Sequence, residues 1–407
     1  MKELQVASKL GTMKRRQFLS SLGAIGLGSL AIGLGGCQAK SATLRIRFLQ
    51  GSLPKRYWGA LEKQLDPNQT THFDLSAIGQ LQELFDLLQQ WKLQAEGRLK
   101  LKPPLIPFWG TDHSQIPDLV GLSDFWLNPA IRQKLLQPVD EKQIQHWNAL
   151  PPAFQTVVRR NDRGVIDPQG KVYGIPYRWG STVIVYRQDI LQRQGLKPPT
   201  DWADLWRSDL QGRISLLNQP REVIGLTLKK LGQSYNRDRL TDLPTLETEL
   251  QQLHRQAKFY SSANYLQPLI LGETWVAVGW SSDVLPLLDQ QPNLAAIVPP
   301  SGTALWMDLW VRPAGSSGNL TPMMAQWLDY WLKPEIAAQY SLLADAASPQ
   351  LAGRDRSQLA PDLQTKLDQQ PILLPTPETV QRSEFITPLP ESAISAYRDL
   401  WKKVRQG

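Results

Sequence analysis

The 407-residue chain contains one cysteine, Cys37. No internal disulfide can form, so the fold has to be held by burial of apolar surface. Histidine is almost as scarce. The four residues His72, His113, His146 and His254 are far apart, with no His-Glu-x-x-His, no cysteine pair and no Gly-x-Ser-x-Gly. Past residue 36 there is no glycine-rich phosphate loop, and no basic run of the length that nucleic-acid binding calls for. No catalytic residue, metal ligand or cofactor is therefore expected. An enzyme would have to be built from scattered Asp and Glu.

Charge is also absent from Phe18 to Gly36. Before it stands Lys14-Arg15-Arg16-Gln17-Phe18-Leu19, the pattern of a twin-arginine export signal, with Lys14 where Ser or Thr is more usual. After it stands Leu34-Gly35-Gly36-Cys37, an aliphatic residue and two small ones ahead of a thiol. Residues 1–36 read as a lipoprotein signal peptide and Cys37 as the lipidated residue of a membrane-anchored, periplasmic protein. Translation can start at Met1 or Met13, and export by the general secretory route is the alternative to the twin-arginine route. A retained transmembrane anchor is the competing reading of the uncharged stretch. The signal holds Lys2, Lys9, Lys14, Arg15 and Arg16 against Glu3, so about half of the formal charge of +8 leaves with it.

What is plentiful is tryptophan, 15 residues, most of them expected in the core or between domains. Hydrophobic residues at 42% and charged residues at 20% describe a globular chain long enough for two domains. Residues 38–42 read as a tether. Leu44, Ile46 and Phe48 alternate as in a strand, and Leu81, Leu84, Phe85, Leu88 and Trp91 recur as in a helix. Pro103, Pro104 and Pro107 mark a loop, residues 117–120 a buried strand, and Ile131–Leu136 a helix stopped by Pro138. Further strands are expected at 182–186, 275–280 and 295–298. Helices are expected after Thr200, at 222–231, after Thr321-Pro322 and at 392–404. The alternation predicts an α/β fold with mainly parallel sheets.

Three segments fall where such a sheet exposes its loop ends: Asn218-Gln219-Pro220-Arg221-Glu222, Gly279-Trp280-Ser281 and Leu305-Trp306-Met307-Asp308. Strand alternation puts Trp306 and Asp308 on one face. An indole beside a carboxylate suits an alkylammonium ion, through cation–π attraction and charge-assisted hydrogen bonds. Taken singly, Trp280 and Trp306 also read as core residues, and Glu222 as an acid complementing a helix dipole. Asp308 lies in an apolar run and needs a partner, which is either an internal arginine or the ligand.

The ordered set Tyr173-Gly174-Ile175-Pro176-Tyr177-Arg178-Trp179-Gly180-Ser181-Thr182, Trp202-Ala203-Asp204-Leu205-Trp206, Arg221-Glu222-Val223, Lys230-Leu231-Gly232, Gly279-Trp280 and Trp306-Met307-Asp308 resembles the polyamine (spermidine/putrescine) receptors of bacterial ABC importers. The resemblance spans about residues 170–335. It implies an α/β, two-lobed periplasmic-binding-protein fold with a ligand cleft between lobes that close by a hinge. One lobe would be residues 43–180 with 306–355, the other 181–305 with 356–407. The resemblance puts Glu222, Trp280, Trp306 and Asp308 at ligand contacts, with Ser123 a weaker one. Gln219 stands where a carboxylate is frequent, Leu49–Leu53 replaces an aromatic-rich loop, Phe125 replaces a Tyr, and Ala346 and Ala347 lie near another Tyr position. Either Asp124 or another acid makes up for the missing acidity, or the ligand carries fewer positive charges.

The expectation is thus a monomeric, non-enzymatic receptor capturing a small cationic amine such as a polyamine. It would deliver that ligand to an ABC permease with a cytoplasmic ATPase. The alternatives are a receptor of the same type for a different solute, and a structural or sensory lipoprotein.

Overall fold

A computed structural model describes residues 42–68, 70–100, 114–316 and 318–406. The expected signal peptide, Cys37 and its tether to residue 41, the prolines 103, 104 and 107, and His113 lie outside the described residues.

The framework is a mixed sheet. Its main strands are β1 (Ala42–Leu49), β2 (Thr71–Ile78), β3 (Leu119–Ser123), β4 (Ile175–Arg187), β5 (Ile214–Leu216), β6 (Ala257–Tyr260), β7 (Val276–Trp280), β8 (Leu294–Ile297) and β9 (Ala304–Pro313). Their order is β2-β1-β3-β9-β4-β7-β5-β6, with β8 paired to β4. The outer pairs are parallel, as expected for strands joined through helices. The central ones are not: β9 runs antiparallel to both β3 and β4, and β4 antiparallel to β7 and β8. The expectation of mainly parallel sheets fails at these two long strands, which run back across the middle of the sheet.

β4 changes partner half-way along. Its residues up to Ser181 pair with β9, and from Thr182 onward with β7. Almost every β4 residue is buried, so its apolar sequence is that of a strand covered on both faces. Two apolar clusters flank this point. The larger includes Phe48, Leu122, Trp179, Trp310, Trp327 and Trp331. The smaller includes Ile184, Trp202, Leu216, Ile224 and Val278. Much of the tryptophan surplus goes into the first, where Trp310 stacks on Tyr177 and meets Trp327 and Trp331.

Two local expectations shift. The helix expected at 131–136 occupies Leu127–Arg132. Lys134 turns left-handed (φ 54°) and ends it, which frees Leu136 and Gln137 to pair with β9. After Thr200 a short 3-10 helix, Trp202–Trp206, forms in place of an α-helix. Its cap is Asp201, in a reciprocal box with Asp204. Thr321 caps the helix Pro322–Tyr330 as its sequence indicates.

Candidate functional site

The site assembles around residues 178–182 of β4, where the strand exchanges partners. On one side, β9 places Asp308 opposite Arg178 on β4 and opposite Ser123 on β3. Arg178 Nε donates to Asp308 Oδ2 at 2.6 Å, and Nη2 lies equally close to the same oxygen. Their side chains are only 6% and 4% exposed, so this is a desolvated ion pair. Burial pulls the guanidinium pKa down, but the adjoining Asp308, with Tyr177 and Tyr340, holds it above its ordinary value. The guanidinium carbon also stands 5.7 Å from the Trp306 ring centroid. The partner that Asp308 requires is thus an internal arginine. Indole and carboxylate do share a face, and Arg178 lies against both.

Asp124 begins the turn after β3. Its Oδ1 accepts from the Met307 amide at 3.2 Å and from Ser123 Oγ at 3.4 Å. Burial pushes its pKa up to about 7, with Asp308 adding to the rise and the Met307 amide and Arg160 opposing it. Ser123 is itself buried, whereas Phe125 next in line is 49% exposed.

On the other side, Glu222 stands in the first turn of the helix Pro220–Lys230. Its Oε1 accepts from Trp280 Nε1 at 3.2 Å and its Oε2 from Thr182 Oγ1 at 3.0 Å. Trp280 and Thr182 are cross-strand partners, so one rung of the β4–β7 ladder delivers both donors. Both are neutral. Burial raises the Glu222 pKa, and the two hydrogen bonds and Arg221 only partly offset it. Gln219 is the backbone N-cap of this helix and is half-buried, without a capping bond from its side chain.

Gly180 joins the halves. A Cβ there would stand 2.3 Å from Ser281 Oγ and 2.4 Å from Trp306 Cζ2, so only glycine lets both approach β4. Ser281 Oγ accepts from the Ser181 amide at 3.1 Å, which ties the start of the helix Ser281–Gln290 to the strand. Both indoles remain half-buried at this junction. Glu222, Trp280, Trp306 and Asp308 therefore flank one five-residue stretch of β4, the first two on the β7 side and the last two on the β9 side.

Sequence reading did not weigh Arg178 or Asp283. Arg178 had a signal: like Asp308, it is a charge set inside an apolar run, and two such charges of opposite sign call for each other. Asp283 accepts from Tyr265 Oη at 2.8 Å. It is open to solvent, yet surrounding protein raises its pKa and Arg178 opposes the rise.

Residues 114–369 match the family model of the bacterial extracellular solute-binding proteins. The spermidine/putrescine-binding periplasmic protein of Escherichia coli K12 is 25% identical over 290 residues, 71% of this chain and 78% of that protein. Among solved structures, the spermidine/putrescine ABC transporter substrate-binding protein PotD of Streptococcus pneumoniae superposes with a TM-score of 0.70 at 21% identity, covering 90% of this chain and 99% of its own. The TpPotD lipoprotein of Treponema pallidum gives 0.62 at 17% identity, covering 90% and 100%. These neighbours have the two-lobed periplasmic-binding-protein fold, as the sequence led us to expect. The family match covers more than half of the chain, its relatives are transporter binding proteins and not enzymes, and the chain belongs to the bacterial extracellular solute-binding protein family.

Proposed function

We propose that this protein is the extracytoplasmic receptor of an ABC importer and captures a small amine-bearing solute beside residues 178–182. The observation that carries the amine is Glu222. It is a buried carboxylate met by two neutral donors, with an indole at its side. Arg221 acts on it only through space, its guanidinium donating to Thr387 O and Asn236 Oδ1, and among the described residues no ion pair reaches Glu222. A protonated amine supplies that direct partner, and Trp280 and Trp306 supply faces for its carbon chain. The name of the Escherichia coli relative points to the same chemistry.

In this reading the lobes are residues 43–180 with 306–355 and 181–305 with 356–407, meeting at the partner exchange in β4. Opening between them admits the ligand to Glu222, and closure buries it. Residues 1–36 direct export and Cys37 carries the lipid. The monomer hands its ligand to a membrane permease driven by a cytoplasmic ATPase. The test is a titration of the purified full chain with putrescine, spermidine and singly charged amines, followed by tryptophan fluorescence. A saturable change is expected. A flat response to every amine at millimolar concentration removes the amine ligand and leaves a receptor for another solute.

A further inference from the structure

We infer that Arg178 determines ligand specificity: its guanidinium fills the cation subsite between Trp306 and Asp308, so the ligand brings one positive charge, at the Glu222 end, and turns an uncharged or anionic end toward Arg178. This rests on the amine reading above and narrows it.

The β9 face offers what a second ammonium would need, an indole and a carboxylate on one side of a strand. Both are already engaged. Nε and Nη2 of Arg178 sit on one Asp308 oxygen, and the guanidinium carbon is 5.7 Å from the Trp306 ring. The pair is nearly sealed from solvent, and Arg178 is fixed in register by strand pairing with Asp308 itself. A diamine reaching from Glu222 toward Trp306 would bring its far ammonium against this guanidinium, and like charges so placed are strongly rejected. Asp283 and Asp345 also sense Arg178, but neither forms an ion pair with it among the described residues. Asp283, open to solvent, adds to the acidity that the ligand's single ammonium meets. In this proposal the part of the guanidinium that Nε and Nη2 leave unengaged by Asp308 is the donor for a hydroxyl or carboxylate on the ligand.

The experiment compares putrescine with its amino-alcohol and amino-acid analogues of equal chain length, by calorimetric titration of the full chain. On the wild type, at least one singly charged or zwitterionic analogue should bind at least about tenfold tighter than putrescine. In Arg178→Thr the order should invert in favour of putrescine. Because that variant leaves Asp308 unpaired, a second one, Arg178→Met with Asp308→Leu, removes both charges. There the penalty on putrescine should vanish while the thermal midpoint stays near wild type. Putrescine binding tightest to the wild type would overturn the inference and leave the amine receptor standing. Failure of all three probes on wild type and variants would overturn both.

Discussion

Arg178 and Asp308 face each other across β4 and β9, 2.6 Å apart, at the level where β4 is about to leave β9 for β7. Beside Arg178 in the same strand, Tyr177 stacks on Trp310 and meets Trp331 at a tilt, which helps to fix the strands that carry the pair. A buried ion pair adds little net stability over an apolar pair of equal volume, but breaking it strands a charge in a dry site.

Asp308→Asn should therefore destabilise the chain by about 3–5 kcal/mol, since Arg178 stays charged and loses its carboxylate. Arg178→Met with Asp308→Leu should fall much nearer the wild type. Urea unfolding at neutral pH measures both. A loss under about 1 kcal/mol for Asp308→Asn would mean that Arg178 finds solvent or another acid.

The fold was legible where period and punctuation agree. Thr321-Pro322 announces its helix, and the β-branched run at 182–186 its strand. Strand direction was not legible at β4 and β9, because a buried apolar run reads alike whichever way its neighbour points. The same blindness hid the site's main feature. Asp308 was recognisable as a carboxylate in need of a partner, and Arg178 was in plain view, yet only the antiparallel register sets one opposite the other. Glu222 was legible as an acid in a helix's first turn. That Trp280 and Thr182 would both donate to it depended on a ladder rung that no local pattern announces.

Asp124 gives the stability a pH signature. Its pKa rises from 3.8 unfolded to about 7 folded, so between those values the folded state holds a proton that the unfolded state has lost. Stability from this group therefore falls as pH climbs through that window, by on the order of 4 kcal/mol at most. Arg160, lowered to about 10 by burial against the pull of Asp124, stays charged throughout. Asp124→Asn keeps an acceptor for the Met307 amide and lacks the proton. Unfolding curves from pH 4 to pH 8 should show the wild type losing stability relative to Asp124→Asn, and parallel curves would refute the assignment.

Gly180→Ala tests the junction. The new methyl would overlap Trp306 and Ser281 Oγ, so the indole or the start of the helix Ser281–Gln290 must move. A cost of about 1–3 kcal/mol is expected, with a change in tryptophan emission and weakened ligand binding. An unaltered emission spectrum together with wild-type affinity would show that Trp306 does not need this close approach.

Cys37→Ser separates anchoring from capture. On the proposed lipidation at Cys37, loss of the thiol removes the attachment point, so the variant should move from the membrane fraction to the soluble one. Its ligand affinity should stay unchanged, because Cys37 precedes the first strand of the fold. Retention of the variant in the membrane fraction would favour an uncleaved anchor over lipidation.

Glu222 should govern how binding depends on pH. The ligand ammonium needs the carboxylate ionised, and burial raises this carboxylate's pKa above 4.5, so affinity should climb as pH rises through that raised value. Trp280→Phe keeps an aromatic face but deletes the Nε1–H that stabilises the anion, which should move the midpoint to higher pH. Glu222→Gln should flatten the profile and weaken binding about ten- to a hundredfold, the worth of a hydrogen bond to a charged group. Burial raises the Asp124 pKa as well, so the three profiles are compared in an Asp124→Asn background. A Trp280→Phe midpoint that fails to rise, or a Glu222→Gln profile that keeps its slope, would move the ammonium away from Glu222 and toward Asp283, an exposed acid with no ion pair among the described residues.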